Sequence, residues 1–205
     1  MDVLGRIIEK LDGRPFATFM KEELFIPLDL NDTGFELPED RWNRVVEVYK
    51  MEEGKLTPTG AFEEMMEGAS DKWWTRDADK IAMGGAGIVS TAYDYARFLQ
   101  MLLNDGELDG VRILGRKTVE LLQRPVFDAF DGKSMASGLS VWVLNNPEDA
   151  YTPASLGSYG WGGYFFTNYW VDPQEKLVAV IMNQVNPTNS TLNTDFTTLT
   201  YSALK

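Results

Sequence analysis

The most informative part of the sequence is Gly157-Ser158-Tyr159-Gly160-Trp161-Gly162-Gly163-Tyr164, which runs into Phe165-Phe166-Thr167-Asn168-Tyr169-Trp170-Val171. The aromatic and apolar residues predict a strand. The glycines around Trp161 predict a place that a ligand or another stretch of backbone approaches closely, because glycine weakens a strand and is otherwise unfavourable there. A glycine-rich hairpin is the alternative that this run leaves open.

The composition excludes several common hydrolase chemistries. None of the 205 residues is a histidine or a cysteine. A Ser-His-Asp triad, a cysteine nucleophile, a histidine metal site and a thiolate zinc site are therefore excluded within this chain. Disulfides are excluded too, which leaves the redox compartment open.

The charge and the length narrow the class of protein. A net charge of -12 argues against binding to nucleic acid or to an anionic membrane, since both require a basic surface. The longest apolar runs, such as residues 177–182, are too short for a membrane span. The length suits a single domain over residues 1–205. No targeting signal is evident at residues 1–6, so the localisation stays open, and the abrupt helical start suggests a chain that begins inside a larger fold.

Periodicity predicts helices at both ends of the chain and strands near its end. The predicted helices cover residues 2–12, 15–27, 91–104, 117–123 and 189–204, and the predicted strands cover 44–49, 138–144, 161–171 and 177–182, with a hairpin turn at Asp109-Gly110. Residues 51–82 have no clear pattern. This arrangement predicts an α+β fold in which helices cover one face of an antiparallel sheet.

Two short motifs are better explained without chemistry. Gly85-x-Gly87-x-x-Ser90 lacks the third glycine of a dinucleotide motif and follows no clear strand, so it predicts a tight entry into a helix. Ser-x-x-Lys, the spacing that lets a lysine activate a serine, occurs only at Ser202–Lys205. Helices fray at chain ends and nothing there desolvates the lysine, so we interpret this match as chance.

Six segments occur in a characteristic order: residues 3–9, 19–28, 32–35, 84–91, 95–103 and 159–163. In this order the chain resembles the serine β-lactamase-related hydrolases, which include class C β-lactamases, penicillin-binding carboxypeptidases and esterases on the same scaffold. The resemblance extends over nearly the whole chain. It implies a β-lactamase/transpeptidase-like fold, here incomplete, and no metal, nucleotide or flavin cofactor.

The resemblance also implies roles for four residues. Trp161-Gly162-Gly163 corresponds to the Lys-Thr-Gly-like triplet, in the form that resembles the esterase branch. Trp161 would shape the acyl or leaving-group pocket, and Gly162 and Gly163 would let substrate lie along the strand. Tyr164 would contribute its backbone N–H to the oxyanion hole, a type of donor that contributes strongly to acyl transfer.

The resemblance implies two further motifs that have no counterpart here. The first is Ser-x-x-Lys on the nucleophile helix, which would precede the helix of residues 2–12. The second is Tyr-x-Asn or its relative Ser-x-Asn, and both are absent. We therefore expect the C-terminal portion of a serine hydrolase that acts on esters, β-lactams or peptide amides through an acyl-enzyme, and that is inactive alone. Such a portion would act on a small ester or amide only together with the missing N-terminal part.

The alternative function is a non-catalytic binding or self-assembly module on the same scaffold. An incomplete fold exposes apolar surface, and large exposed apolar patches commonly become interfaces. Self-association of the chain is expected on this hypothesis.

Overall fold

The computed structural model describes residues 1–36, 38–58, 82–126, 134–185 and 191–205. These residues form two compact units, Met1–Tyr95 and Ala96–Lys205. The expectation of a single domain over residues 1–205 stays a prediction. Residues 59–81, which belong to the stretch without a clear sequence pattern, lie outside the described residues. Within the described part of the chain, no helix combines the length and apolar character that crossing a bilayer requires.

The first unit begins with the two predicted helices. Helix α1, Asp2–Asp12, ends at Gly13, whose φ of 89° is the left-handed conformation that suits glycine at a helix end. Helix α2, Phe16–Met20, continues as one π-helical turn over Lys21–Phe25. The two helices are joined by a hydrogen bond of 2.8 Å from the Phe16 N–H to the Glu9 carboxylate.

The predicted strand at residues 44–49 is wrong. Glu39–Arg44 is a 3-10 helix, and the first strand is β1, Tyr49–Glu52, which pairs with β2, Lys55–Pro58. Arg41 and Arg44 lie one 3-10 turn apart and therefore on one face. Both contact the Asp32 carboxylate, at 2.7 and 2.6 Å, and this double ion pair stabilises the helical turn over an extended conformation.

Helix α3, Ala92–Leu103, begins where the sequence predicts. The Asp94 N–H donates to Thr91 Oγ1 at 3.2 Å, as expected for an N-cap. The Asp94 carboxylate is buried and accepts hydrogen bonds of 2.8 Å from the Asp32 N–H and from Thr33 Oγ1. Asp94 thus connects the start of α3 to the loop at residues 32–33.

The second unit is built on an antiparallel sheet. Its five strands lie in chain order: β5, Met135–Ser137; β6, Trp142–Leu144; β7, Tyr159–Gly162; β8, Asn168–Asp172; and β9, Leu177–Ile181. A separate hairpin, β3 Glu107–Leu108 and β4 Val111–Arg112, turns at Asp109 and Gly110, which both have positive φ as a type I′ turn requires. The described helices that lie wholly within this unit are α4, Arg116–Gln123; α5, Pro147–Ala150; and α6, Leu192–Ser202. The mixture of helices and antiparallel sheet confirms the predicted α+β class.

Two predicted strands divide differently. Residues 161–171, predicted as one strand, are the end of β7 and most of β8 with a turn between them. The prediction was wrong because every residue of that turn is aromatic, glycine or threonine, and none carries the proline or aspartate that commonly marks a turn. Strand β6 starts at Trp142, later than predicted, because the Gly138 N–H donates to the Val141 carbonyl and closes a turn there.

Helix α6 packs against β8 through aromatic side chains. The ring of Trp170 is 5.5 Å from that of Phe196 and stacks on that of Tyr201 at 6.3 Å. Trp170 is buried, and so are Tyr159 and Val171 beside it in the sheet. Burial of these large side chains stabilises this part of the fold.

A buried carboxylate lies at the end of β8. Asp172 is fully buried and accepts hydrogen bonds from the Tyr201 hydroxyl at 2.7 Å and from the Ser155 N–H at 2.9 Å. The Gln174 and Glu175 N–H groups also donate to it, at 3.0 and 3.1 Å. Burial acts to raise the pKa of Asp172, but these hydrogen bonds to the charged form outweigh it and hold the pKa below its ordinary value.

We predict that Tyr201→Phe destabilises the protein at neutral pH. The change removes one donor from the buried Asp172 carboxylate and the acceptor of the Trp170 indole N–H, which lies 3.1 Å from the hydroxyl. The expected loss is about 1–3 kcal/mol, or about 2–4 °C in Tm for each kcal/mol. Tyr151→Phe is the matched control, because Tyr151 is 95% exposed.

The pH dependence of this effect follows from the lowered pKa. A carboxylate with a depressed folded-state pKa contributes stability that is present above about pH 4 and is lost as the pH falls through the folded-state value. Thermal unfolding of the wild type and Tyr201→Phe should therefore converge in acid. A difference in Tm that is constant from pH 7 to pH 3 would contradict this account.

Candidate active site on strand β7

The residues singled out by the sequence lie at the end of β7. Tyr159 and Gly160 are buried in the sheet, whereas Trp161 is 41% exposed and Gly162 is exposed. Trp161 pairs with Tyr169 of β8, and Gly162 pairs with Asn168. The end of β7 therefore leaves the core and reaches the surface of the second unit at Trp161.

Strand β7 extends further along β8 than along β6. Its register with β6 ends at the pair Trp142–Gly160, whereas its register with β8 continues to Gly162. On the β6 side, the Ser158 carbonyl accepts from the Leu144 N–H at 2.8 Å, and on the β8 side the Gly163 N–H donates to the Thr167 carbonyl at 2.9 Å. Because the direction of main-chain groups alternates along a strand, the N–H and C=O of Gly162 face the β6 side, beyond the last β6 pair.

Three glycines of this segment differ in whether a side chain would fit at their position. A Cβ at Gly160 would overlap the Tyr169 carbonyl oxygen and lie 2.7 Å from Cζ2 of Trp142. A Cβ at Gly163 would overlap Thr167 Oγ1. At Gly162 the nearest atom, the Thr167 carbonyl oxygen, is 3.6 Å away, which is an ordinary contact. Packing within the sheet accounts for Gly160 and Gly163, while the surroundings of Gly162 are open.

Tyr164 lies in the turn that joins β7 to β8. The Phe166 N–H donates to the Gly163 carbonyl at 3.0 Å, which closes a four-residue turn, and Phe166 has a φ of 67°. The side chain of Tyr164 is 64% exposed, and its ring packs edge-on against that of Phe165 at 5.2 Å. The structure thus brings Trp161, Gly162, Gly163 and Tyr164 together at one exposed end of the sheet.

Residues that follow β9 hold this turn in place, and the sequence analysis did not identify them. The amide of Asn183 donates to the Phe166 carbonyl at 3.1 Å, and the Val185 N–H donates to the Phe165 carbonyl at 3.3 Å. A side-chain amide directly after a strand is a weak signal, since it is also common in simple loops.

The segment that carries β7, β8 and the turn between them is uncharged up to Asp172. Between Asp149 and Asp172 the sequence contains no acidic or basic residue. Main-chain groups and aromatic side chains are therefore the chemical features that the end of β7 offers to a bound molecule. Such a surface suits a carbonyl compound held by hydrogen bonds to the backbone and by apolar contact.

The two motifs that we interpret without chemistry, at residues 85–90 and 202–205, have neighbouring residues that contact other parts of the fold. Gly84 lies so close to α1 that a Cβ there would be 2.9 Å from the carbonyl carbon of Met1, and the Gly85 N–H donates to the Asp2 carboxylate at 2.9 Å. The Ser202 hydroxyl donates to the Thr198 carbonyl at 2.7 Å, at the exposed last residue of α6.

The sequence matches the Beta-lactamase family over residues 1–201. The chain belongs to this family. This confirms the resemblance drawn from the six ordered segments.

Two curated relatives illustrate the range of the family. Protein Rv1367c of Mycobacterium tuberculosis (strain ATCC 25618 / H37Rv) is 26% identical over 211 residues, which cover 91% of this chain and 48% of the relative. A putative D-alanyl-D-alanine carboxypeptidase of Escherichia coli (strain K12) is 26% identical over 190 residues, which cover 88% of this chain and 42% of the relative. The chain thus spans about half the length of the curated relatives it matches.

A solved structure shows the same fold. EstCE1, described as a hydrolase with promiscuous acyltransferase activity, superposes with a TM-score of 0.79 at 23% identity, over 97% of this chain and 54% of EstCE1. The likeness confirms a β-lactamase/transpeptidase-like fold. The family contains relatives named for hydrolytic and acyl-transfer activities.

We predict that alanine destabilises the protein at Gly160 but not at Gly162. Gly160→Ala should destabilise the protein by about 1–3 kcal/mol, because the added methyl group overlaps the next strand. Gly162→Ala, the matched control two residues away, should leave Tm within about 2 °C. Thermal unfolding followed by circular dichroism measures both. Equal effects at the two positions would show that the packing around Gly160 is not what requires glycine.

Proposed function

We propose that this chain forms one wall of an acyl-transfer site and that the attacking serine comes from residues outside these 205. Trp161, Gly162 and Gly163 line the substrate, and the Tyr164 N–H donates to the oxyanion. The supporting observation is that β7 continues for two residues beyond its last pair with β6. The main-chain groups of Gly162 point toward the β6 side, past that last pair. A substrate amide or ester can pair with those groups as an added strand would.

The chemistry is that of an acyl-enzyme. A serine oxygen attacks the substrate carbonyl carbon and loses its proton to a nearby base, and the carbonyl π electrons move to the oxygen. Donors such as the Tyr164 N–H stabilise that negative charge. Collapse of the intermediate expels the alcohol, amine or opened lactam nitrogen, which takes up the proton, and water then releases the acid. Without a serine and its base the first bond cannot form, so the chain is inactive alone.

The substrate is an ester, a β-lactam or a peptide amide. The uncharged aromatic wall favours substrates whose acyl part is apolar, since it provides no cation for a substrate carboxylate. Relatives named as a carboxypeptidase and as a hydrolase with acyltransferase activity support the reaction class.

We predict no turnover by the isolated chain. A short-chain nitrophenyl ester and a chromogenic cephalosporin should hydrolyse at the buffer rate in its presence. Any turnover above the buffer rate would contradict the proposed function. Its loss in Ser202→Ala would then assign the nucleophile to the only Ser-x-x-Lys serine of this sequence.

The active form is tested by co-expressing the chain with the part of EstCE1 that lies outside their superposition. The resulting complex should hydrolyse the nitrophenyl ester, and Trp161→Ala in the chain should lower kcat/KM at least tenfold, because the acyl group loses its apolar contact. Tyr151→Ala, another exposed aromatic outside β7, is the control and should leave kcat/KM unchanged. Equal kcat/KM values for the two variants would show that Trp161 does not line the site.

A second candidate function is a non-catalytic binding or self-assembly module. The observation that favours it is the exposed apolar side chains of α1, which a partner could cover. A chain that sediments as a stable oligomer without any second polypeptide would favour this module over the acyl-transfer site.

A further inference from the structure

A cavity of about 590 Å³ lies within the second unit, where α4 ends beside the turn at Gly157. This volume is in the range of sites that hold small organic molecules. The cavity is lined by Lys117, Glu120, Leu121, Gln123, Arg124 and Gly157. None of these residues belongs to the proposed acyl-transfer site at residues 161–164, so the cavity requires its own explanation.

Helix α4 presents one face to this cavity. Lys117, Glu120 and Leu121 lie on the same face, at spacings of three and four residues. Arg124 follows three residues after Leu121, at the end of the helix. Val119, nearly opposite on the helix, is buried, whereas the side chain of Leu121 is half exposed. The cavity therefore has an apolar side chain between charged ones.

The turn at Gly157 forms a fixed wall of the cavity. Gly157 has a φ of 87°, and a Cβ at this position would meet no atom within 4 Å, so the residue borders open space. Its N–H donates to the Leu144 carbonyl at 2.9 Å, and the Ser158 N–H donates to the Ser155 carbonyl at 3.0 Å. The Ser155 N–H in turn donates to the buried Asp172 carboxylate. These bonds hold the wall in place without a ligand.

The charges of the lining leave one cation to bind a ligand. Glu120 forms ion pairs with both Arg116 and Lys117, which compensate its charge. The guanidinium of Arg124 forms no ion pair or hydrogen bond with the part of the chain that the structure describes. Two cations and one carboxylate give the lining a net charge of +1, in a chain whose net charge is -12. The lining thus complements a single negative charge.

We infer that this cavity binds an organic monocarboxylate, whose carboxylate pairs with the Arg124 guanidinium and whose apolar part lies on Leu121. The planar guanidinium holds a carboxylate through two parallel N–H···O bonds. Simple carboxylic acids are ionised at neutral pH, so the ligand carries the required charge. This inference does not depend on the proposed function, because the cavity shares no residue with that site.

Gln123 supplies a second polar contact for the ligand. Its side chain lines the cavity and also neighbours the Tyr159 hydroxyl, which is buried and has no well-formed hydrogen bond within the described residues. A side-chain amide has an acceptor at one end and donors at the other. The Gln123 oxygen can therefore accept from Tyr159 while the amide N–H groups donate to a carboxylate in the cavity.

Other classes of ligand fit the lining less well. A phosphate dianion carries twice the charge that the lining complements, and Glu120 repels it. An amine would have to displace Arg116 and Lys117 from Glu120. A small inorganic anion would leave most of the volume and the Leu121 side chain without a contact.

The test titrates the ¹⁵N-labelled 205-residue chain with octanoate at pH 7. The Gln123 side-chain amide and the Gly157 N–H should shift saturably, with a Kd below about 1 mM. 1-Octanol, which lacks the charge, and inorganic phosphate should each bind at least tenfold more weakly. The absence of saturable shifts at these two groups up to about 5 mM octanoate would overturn the inference. Equal or tighter binding of 1-octanol or of phosphate would overturn it as well.

Variants then assign the contacts. Arg124→Gln should weaken octanoate binding at least tenfold, because the ligand loses its charged partner. Leu121→Gln should weaken it at least threefold, because apolar contact is lost. Lys55→Gln removes one positive charge from an exposed position of β2 and is the matched control, with an unchanged Kd.

Arg124→Gln and Leu121→Gln should unfold within about 2 °C of the wild type, because both side chains are exposed. An unchanged Kd in Arg124→Gln would overturn the inference. If Arg124→Gln does not fold, Arg124→Lys replaces it, since it keeps the charge and loses the planar fork. Octanoate should bind this variant at least threefold more weakly, and an unchanged Kd there would overturn the inference too.

Discussion

The register of β7 against its two neighbours is the constraint on which the candidate site depends. A residue added or lost between Ser158 and Gly162 would reverse the direction of every main-chain group after it. Gly160 protects that register, since only a residue without a side chain fits between the Tyr169 carbonyl and the Trp142 ring. The same close approach brings β8 against β7 and fixes the position of the turn at residues 163–166.

Polar contacts then anchor this sheet at its far end. The buried Asp172 carboxylate gathers the loop at Ser155, the turn after β8 and the hydroxyl of Tyr201 on α6. Because both oxygens of the carboxylate accept hydrogen bonds, the group is tolerated in a buried position. Asp94 has the equivalent role in the first unit, where it connects a helix start to the loop at Asp32 and Thr33.

Elements that local sequence signals determine were predictable, whereas elements held by contacts from other parts of the chain were not. The ends of α1, the cap at Thr91 and the Asp109-Gly110 turn followed from local signals, because in each of them neighbouring residues decide the conformation. The turn between β7 and β8 was missed, since Asn183 and Val185 hold it through contacts distant in sequence. The 3-10 helix at residues 39–44 was missed for the same reason, because Asp32 attracts both of its arginines. The order of six short segments was enough to predict the family. The continuation of β7 beyond its pairing with β6 was visible only in the structure.

The hydrogen bond from Asn183 to the Phe166 carbonyl has a consequence for attempts to change this protein in the laboratory. In the proposed site, the side chains of residues 161–164 lie on and beside a turn that the end of β9 supports. On that proposal, selection for new acyl preferences recovers changes at Asn183 that never contact the acyl group, because they tilt this segment as a whole. Libraries confined to residues 161–164 would omit this supporting position.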